Sequence, residues 1–221
     1  EDPNTANFFA PKLDQLLVVQ GTNSQKIKNL IFRGLTFEFA NWEDFPVKGY
    51  KGLQASGYWS DIFYARFSIP TAIFFQNTEN SLFTNNTVRF LEAGGVGIGM
   101  GTTNVQLFYN SFFNIGGTCI DSGWAVRKQD RTSDSVPTNN KISNNTVDRC
   151  GEIYFGTVGI GNVLTKNTLI SHNLVKNLPY SGISILGLFA AGTSLLEKTT
   201  ITHNKVHNVM QRLGDGGGIY T

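Results

Sequence analysis

The stretch ISNNTV, residues 142–147, decides how this chain is read. It opens on an apolar residue, places a small polar residue three positions on, and a β-branched residue five positions on. A further apolar residue usually follows at eight. The same unit recurs with first positions at Phe32, Ile62, Phe83, Leu107, Ile142, Ile170 and Ile201. Its third places are Leu35, Ala65, Asn86, Asn110, Asn145, Asn173 and Asn204. Its fifth places are Phe37, Phe67, Val88, Phe112, Val147, Val175 and Val206, and its eighth are Ala40, Pro70, Leu91, Ile115, Cys150, Leu178 and Val209. The steps between first positions are 30, 21, 24, 35, 28 and 31 residues. Self-similarity at roughly 20–50 residues marks a stacked architecture, in which each unit covers its apolar face with the next.

The residue types say what kind of unit is stacked. Helical repeats of this length are rich in Ala, Leu and Glu. These units are rich in Val, Ile, Thr, Phe and Asn, which favour strands and turns. An apolar strand at residues 16–19 precedes the first unit, and a second strand follows each unit, centred on Ile73, Ile98, Ile120, Ile160, Ile183 and Ile219. Val96, Ile98 and Met100 alternate with glycines, the period of a strand with one face inward. The pattern resembles the right-handed parallel β-helix proteins of the pectin-lyase-like superfamily. The expected fold is therefore all-β, a right-handed parallel β-helix solenoid of about seven coils. At an inter-strand spacing of about 4.8 Å those coils make a rod on the order of 33 Å long. The third-place asparagines have a physical role in it. Where the backbone bends away from ladder geometry, a side-chain amide both donates and accepts. Asn86, Asn110, Asn145, Asn173 and Asn204 are expected to form such an Asn ladder from coil to coil.

Composition bounds the function. The 221 residues are 40% hydrophobic and only 15% charged, enough for one elongated domain with its own core. A formal net charge of +2 and the absence of any Lys/Arg cluster argue against a nucleic-acid partner. No apolar run is long enough for a membrane span. The chain starts at Glu1 with no signal-like segment. No P-loop, GxSxG or cysteine-rich zinc spacing occurs, and no cofactor is implied. Cys150 falls on the eighth-place core position and reads as a small buried apolar residue; a disulfide with Cys119 is the alternative. Two sequons, at Asn85 and Asn144, arise from the repeat itself. His172 and His203 occupy the same place in successive units, which is a structural register without a third metal ligand.

Chemistry is expected where the unit is interrupted, because binding residues sit on loops held by a rigid scaffold. Residues 42–57 form one long insertion. Residues 123–139, GWAVRKQDRTSDSVPTN, form another, with Trp124 and Arg127 among its charges. A tryptophan beside charged groups suits a sugar ring, which stacks its apolar face and hydrogen-bonds through its hydroxyls. The same loop also reads as a solvated segment whose Trp packs on the rod. The last stretch, LGDGGGIYT at 213–221, sets Asp215 before three glycines and a strand that holds Tyr220. Those glycines let the backbone pass close to a ligand, although a plain Gly-rich turn would look the same.

Four segments carry a closer resemblance: APKLDQLLVVQGT (10–22), IKNLIFRGLTFEFANW (27–42), YSGISIL (180–186) and ITHNKVHNVMQRLGDGGGIYT (201–221). Together they resemble bacterial β-helix glycoside hydrolases of the fucosidase/xylanase and β-xylosidase types. That resemblance implies a site on the outer face of the helix, with Asp215 as a catalytic residue and a second acid from a later coil. It implies a polysaccharide or oligosaccharide partner, no metal, and an extracellular, cell-surface or periplasmic location. The GLFAAGTSLLEK run at 187–198 departs from the Trp-Gly run that these families place there. Retaining glycosidases hold their carboxyls about 5–5.5 Å apart and inverting ones about 6.5–9.5 Å. Within these residues, Asp121 and Glu152 are the outer-face acids that can be set against Asp215, several coils away. The leading function is a glycoside hydrolase acting on wall polysaccharide through a carboxylate pair. The alternatives are a non-catalytic surface fibre or glycan-binding rod, and a polysaccharide lyase. Residues 1–221 are expected to form a single β-helix domain, a fragment of a larger chain with further coils on both sides.

Overall fold

The computed structural model describes residues 4–6, 8, 10–42, 49–63, 66–123, 135–186 and 195–221. Among them there are strands and turns and no helix. Three long parallel sheets carry the architecture, and the chain visits them in turn, as in a parallel β-helix. One six-stranded sheet holds the first positions, from Ile31–Arg33 through Leu82–Thr84, Gln106–Phe108, Lys141–Ser143 and Leu169–Ser171 to Thr200–Thr202. A second holds the fifth positions, from Thr36–Ala40 through Thr87–Leu91, Ser111–Ile115, Thr146–Cys150 and Leu174–Lys176 to Lys205–His207. A seven-stranded sheet completes each circuit. Its strands are Leu17–Gln20, Thr71–Gln76, Gly94–Ile98, Ile120–Ser122, Ile160–Asn162, Ile183–Ile185 and Ile219–Tyr220.

Register follows the repeat residue for residue. Phe32, Phe83, Leu107, Ile142, Ile170 and Ile201 pair in sequence across one sheet. Phe37, Val88, Phe112, Val147, Val175 and Val206 do so across the next. Phe83, Leu107, Ile142, Ile170, Val88, Phe112, Val147 and Val175 are wholly buried. The core is thus a set of columns running along the stack, each made of one position of the unit.

The unit at Ile62 is not a coil. Phe32 pairs directly with Phe83, and Phe37 with Val88, so the described residues between 41 and 70 leave the stack. They contain an antiparallel sheet of Gly52–Gln54, Gly57–Trp59 and Arg66–Ser68. Ile62 is 55% exposed, Phe67 lies opposite Tyr58, and Ala65 falls outside the described residues. A hairpin alternates apolar and polar residues with the same period as a coil strand, which is why it imitates the unit. The two repeat sheets accordingly have six strands each. The insertion makes a satellite core in which Trp42, Tyr58 and Ile69 pack with Phe67 and Tyr154.

The bend between the two repeat sheets is held by asparagine side chains. Oδ1 of Asn110, Asn145, Asn173 and Asn204 accepts the main-chain N–H of Asn86, Asn110, Asn145 and Asn173, at 2.9–3.0 Å. Nδ2 of Asn110, Asn145, Asn173 and Asn204 donates to the carbonyls of Phe83, Leu107, Ile142 and Ile170, each at 2.9 Å. Each amide therefore satisfies one donor and one acceptor on the preceding coil, at the place where strand pairing stops. At the first coil, where Leu35 replaces asparagine, its N–H is taken by Oδ1 of Asn86 at 2.9 Å. The residue before each of these is left-handed: φ is +53° at Asn85, +55° at Tyr109, +57° at Asn144, +56° at His172 and +54° at His203. The doubled Asn of ISNNTV thus has two jobs. Asn144 tolerates the left-handed backbone, and Asn145 bonds the coil below. The His172 and His203 rings share this column and lie parallel, 4.9 Å apart.

Cys150 is buried in its core column, and it is also bonded to Cys119, itself fully buried. The reading of Cys150 as a simple apolar residue is corrected on this point. Cys119 immediately precedes the strand Ile120–Ser122, so the bridge ties a strand of one sheet to a strand of the seven-stranded sheet. The two cysteines are 31 residues apart, and closing a loop of that length removes about 3–4 kcal/mol of unfolded-chain entropy. Reduction with dithiothreitol should lower the unfolding free energy by that order, measured by urea denaturation with and without reductant. Asn145→Ala should cost about 2–4 kcal/mol, because it strands a buried N–H and a buried carbonyl. Asn144→Gly should change stability by well under about 1 kcal/mol, since glycine accepts the same left-handed φ. Equal losses at the two positions would show that the side-chain bonds are not what holds the bend.

Candidate functional site

The seven-stranded sheet places every second residue on its outer face. Register aligns Val18, Phe74, Gly97, Asp121, Gly161, Ser184 and Tyr220 in one row. The adjoining inward row, Ile73, Val96, Ile120, Ile160 and Ile183, is wholly buried. Two of the outward residues are glycine, and they make space. A Cβ at Gly161 would stand 2.8 Å from Oδ1 of Asp121, so this carboxylate leans over the bare backbone. A Cβ at Gly97 would stand 2.9 Å from Cδ2 of Phe74. Along this row Gly97, Asp121, Gly161 and Ser184 are buried, Phe74 and Tyr220 are half-buried and Val18 is exposed.

Asp215 sits on one of those loops, at the end of the row. It is exposed, and its φ of +57° is left-handed. The loop is held from beneath by residues of the preceding coil. The Tyr180 hydroxyl donates to the Asp215 carbonyl at 2.7 Å, and Gly217 N–H donates to Ser181 Oγ at 3.2 Å. The glycine run is needed for this approach, since a Cβ at Gly216 would collide with Ser181 Oγ and the Met210 thioether. Main-chain bonds from Gly182 to Gly217 and from Ile183 to Gly218 then carry the loop into the strand Ile219–Tyr220. The Asp215 carboxylate is close enough to Tyr220 to push the phenol above the usual tyrosine range, with burial and Tyr180 adding to the effect. Tyr220 thus stands beside a carboxylate at the end of the row.

The other candidate residues are distributed as follows. Asp121 lies on the outer row, and it is only 6% exposed. It stands three strands from Tyr220, about 14 Å at the usual spacing. Glu152 is exposed on the loop after Thr146–Cys150. It borders a recess of about 60 Å³ with Asn177, Pro179 and Arg212, away from the outer row. The Arg212 guanidinium there covers the Phe155 ring at 4.1 Å. Trp124 and Arg127 fall outside the described residues.

Several contributors are not singled out by sequence reasoning. Tyr180 and Ser181 belong to the YSGISIL segment, and nothing in that segment alone aims them at Asp215. Phe74 looks like one more strand residue until register places it over Gly97. Wall residues from the 41–70 insertion are hidden because that stretch imitates a coil. Ser56 Oγ donates to Thr118 Oγ1 at 2.7 Å, and Ala55 packs with Val158 and Tyr180, so the insertion is fastened along the edge of the same outer face.

No family model matches the sequence, and no curated protein matches it. A solved structure named "Glycoside hydrolase" superposes with a TM-score of 0.81 at 20% sequence identity. The match covers 96% of this chain and 40% of that one, so these 221 residues span less than half of the protein they resemble. At this identity the likeness establishes a shared fold: long parallel sheets stacked as in that structure.

Proposed function

We propose that this protein is a carbohydrate-active enzyme built on a right-handed parallel β-helix, a glycoside hydrolase that uses Asp215 as a catalytic carboxylate. The observation that carries the reading is the placement of Asp215. An exposed aspartate is held by its backbone to Tyr180 and stands beside Tyr220, at the end of the outward-facing row. The fold shared with a protein named "Glycoside hydrolase" supports the reaction class. In this reading Tyr220 donates to a sugar hydroxyl or to the carboxylate itself, and Asp121 contacts substrate farther along the row. Trp124, Arg127 and Glu152 are proposed as flanking substrate contacts. Glycoside hydrolysis uses two carboxyl groups, and Asp215 is proposed as one of them. The substrate is a wall polysaccharide or its oligosaccharides, met outside the cytoplasm.

A glycan-binding rod without catalysis is the second reading. It is supported by the placement of Asp121, which stands three strands, about 14 Å, from the strand that follows Asp215.

In the full-length protein, Asp215→Asn should lower kcat/KM on aryl glycosides and wall polysaccharides by at least about 100-fold. Retention of normal sugar release by that variant would leave the binding-rod reading in place. The same variant also reports on geometry. With the negative charge gone, the Tyr220 phenolate is less disfavoured, so Tyr220 should titrate at a lower pH than in the parent protein. Ultraviolet difference titration of the two proteins reads this shift, and coincident curves would separate Asp215 from Tyr220.

A further inference from the structure

A second row of asparagines runs along the rod, on the turn that leads from the seven-stranded sheet into the first repeat sheet. Asn80, Asn104, Asn139 and Asn167 occupy it on successive coils, with left-handed φ of +53°, +53°, +59° and +51°. Main-chain bonds fix their offset: the N–H groups of Asn80, Asn104 and Asn139 donate to the carbonyls of Thr103, Thr138 and Lys166. A recess of about 640 Å³ lies over the row, lined by these four asparagines together with Lys141 and Leu169. We propose that this recess binds an extended acidic oligosaccharide, about one ring per coil, with an anionic substituent held at Asn139 and Lys141.

Backbone geometry does not account for the asparagines. Tyr109, His172, Phe90 and Arg149 take the same conformation elsewhere in the chain, at φ of +55°, +56°, +52° and +52°. Nor do these amides hold the coils together as the inner ladder does. The inner amides are bonded to main chain, whereas Asn80, Asn139 and Asn167 are exposed, Asn104 is half-buried, and their amides bond side chains. Asn104 Nδ2 donates to Asn80 Oδ1 at 2.8 Å, and Asn167 Nδ2 donates to Asn139 Oδ1 at 2.6 Å. Between Asn104 and Asn139 the row is broken. Asn104 Oδ1 accepts from Gln106 Nε2 at 3.2 Å, and Asn139 Nδ2 has no partner among the described residues. Lys141, two residues on, is exposed, lines the same recess and makes no ion pair among the described residues.

The charge of the recess selects the ligand. Among the described residues no carboxylate lines it. The acids of the adjoining row, Glu79 and Glu197, are taken up by Lys28 at 3.1 Å and by Lys166 at 3.4 Å. On the next coil the asparagine row continues as Lys198, a second exposed cation with no ion pair among the described residues. Amide and ammonium donors without a competing carboxylate favour an anion, because hydrogen bonds from an ammonium to a carboxylate or sulfate oxygen are charge-assisted. Periodicity selects the form of the ligand. Asn80 to Asn167 covers three coil spacings, about 14 Å, and the rise per coil is close to the advance per ring of an extended pyranose chain. Hydroxyls that repeat ring by ring meet amides that repeat coil by coil, each able to donate and accept. Leu169, half-buried, offers an apolar surface to the C–H face of a ring. The volume falls within the roughly 300–1,000 Å³ of small-ligand sites. Asp215 lies on the loop that enters the seven-stranded sheet from the second repeat sheet, so a chain in this recess leaves it free.

The carbohydrate class rests on the glycoside-hydrolase reading, but the test is one of binding and uses protein that carries Asp215→Asn. Trigalacturonate, sulfated neocarratetraose, neutral xylotriose and monomeric galacturonate are titrated by isothermal calorimetry. At least one acidic chain should bind about tenfold or more tightly than xylotriose and than the monomer. Which of the two does so identifies the anion as a carboxylate or a sulfate ester. Lys141→Gln should weaken that binding by about tenfold with the thermal unfolding midpoint retained. Asn139→Gly, which keeps the left-handed backbone, should weaken it as well. Xylotriose or the monomer binding as tightly as the better acidic chain, no acidic binding at all, or unchanged affinity in Lys141→Gln would each overturn the proposal. Because hydrolysis is not the readout, a failure at Asp215 and a failure at the recess are seen separately.

Discussion

The structure depends on how the backbone is satisfied where a strand ladder has to stop. Between the two repeat sheets the chain turns a corner, and there main-chain groups lose their strand partners. A single asparagine per coil restores two of them at once: Asn145 takes the Asn110 N–H and gives to the Leu107 carbonyl. Because each amide acts on the coil before it, the bond repeats only if coils stack at a constant offset. The columns of Phe83, Leu107, Ile142 and Ile170 follow from that offset, and so does the register of the seven-stranded sheet.

A constant offset produces a repetitive row of outward positions, and repetition by itself recognises nothing. Recognition comes from departures on its borders. The 41–70 insertion is fastened at Ser56–Thr118 and by the packing of Trp42 with Tyr154, and it raises a wall over Phe74. The 208–218 loop is fastened by Tyr180 and Ser181, and it presents Asp215. The Cys119–Cys150 bridge ties the end of the strand Thr146–Cys150 to the start of the strand Ile120–Ser122. Glycine governs both ends for the same reason. At Gly97 and Gly99 it admits an aromatic ring, and at Gly216 it admits a loop over Ser181.

The sheets were legible because their residues report a local constraint. Strand period, β-branching and the spacing of ISNNTV are written in consecutive residues, and they place Ile142, Asn145 and Val147 without reference to any partner. One copy was misread. Ile62, Ala65 and Phe67 satisfy the unit's pattern, yet an antiparallel hairpin has the same alternation, and no local rule separates the two. The site was less legible. Asp215 stood out through its glycines, but its support by Tyr180 joins residues 35 positions apart. Asp121 was correctly placed on an outward position by its neighbour Ile120, whereas its deep burial was not foreseeable from the strand alone.

By itself the sequence determined an all-strand chain of stacked units, the residues that line its core, and the asparagines that stand at its bends. These are matters of period and of side-chain chemistry at single positions. The tertiary structure alone decided that Cys119 meets Cys150, that the described residues between 41 and 70 stand outside the stack, and that Phe74 and Asp121 share a pocket while Asp215 and Tyr220 meet at the other end of the same row. The physical reason is the geometry of a solenoid. Residues separated by whole coils become neighbours at the inter-strand spacing, and the length of each interruption, which carries no periodic signal, sets which ones they are.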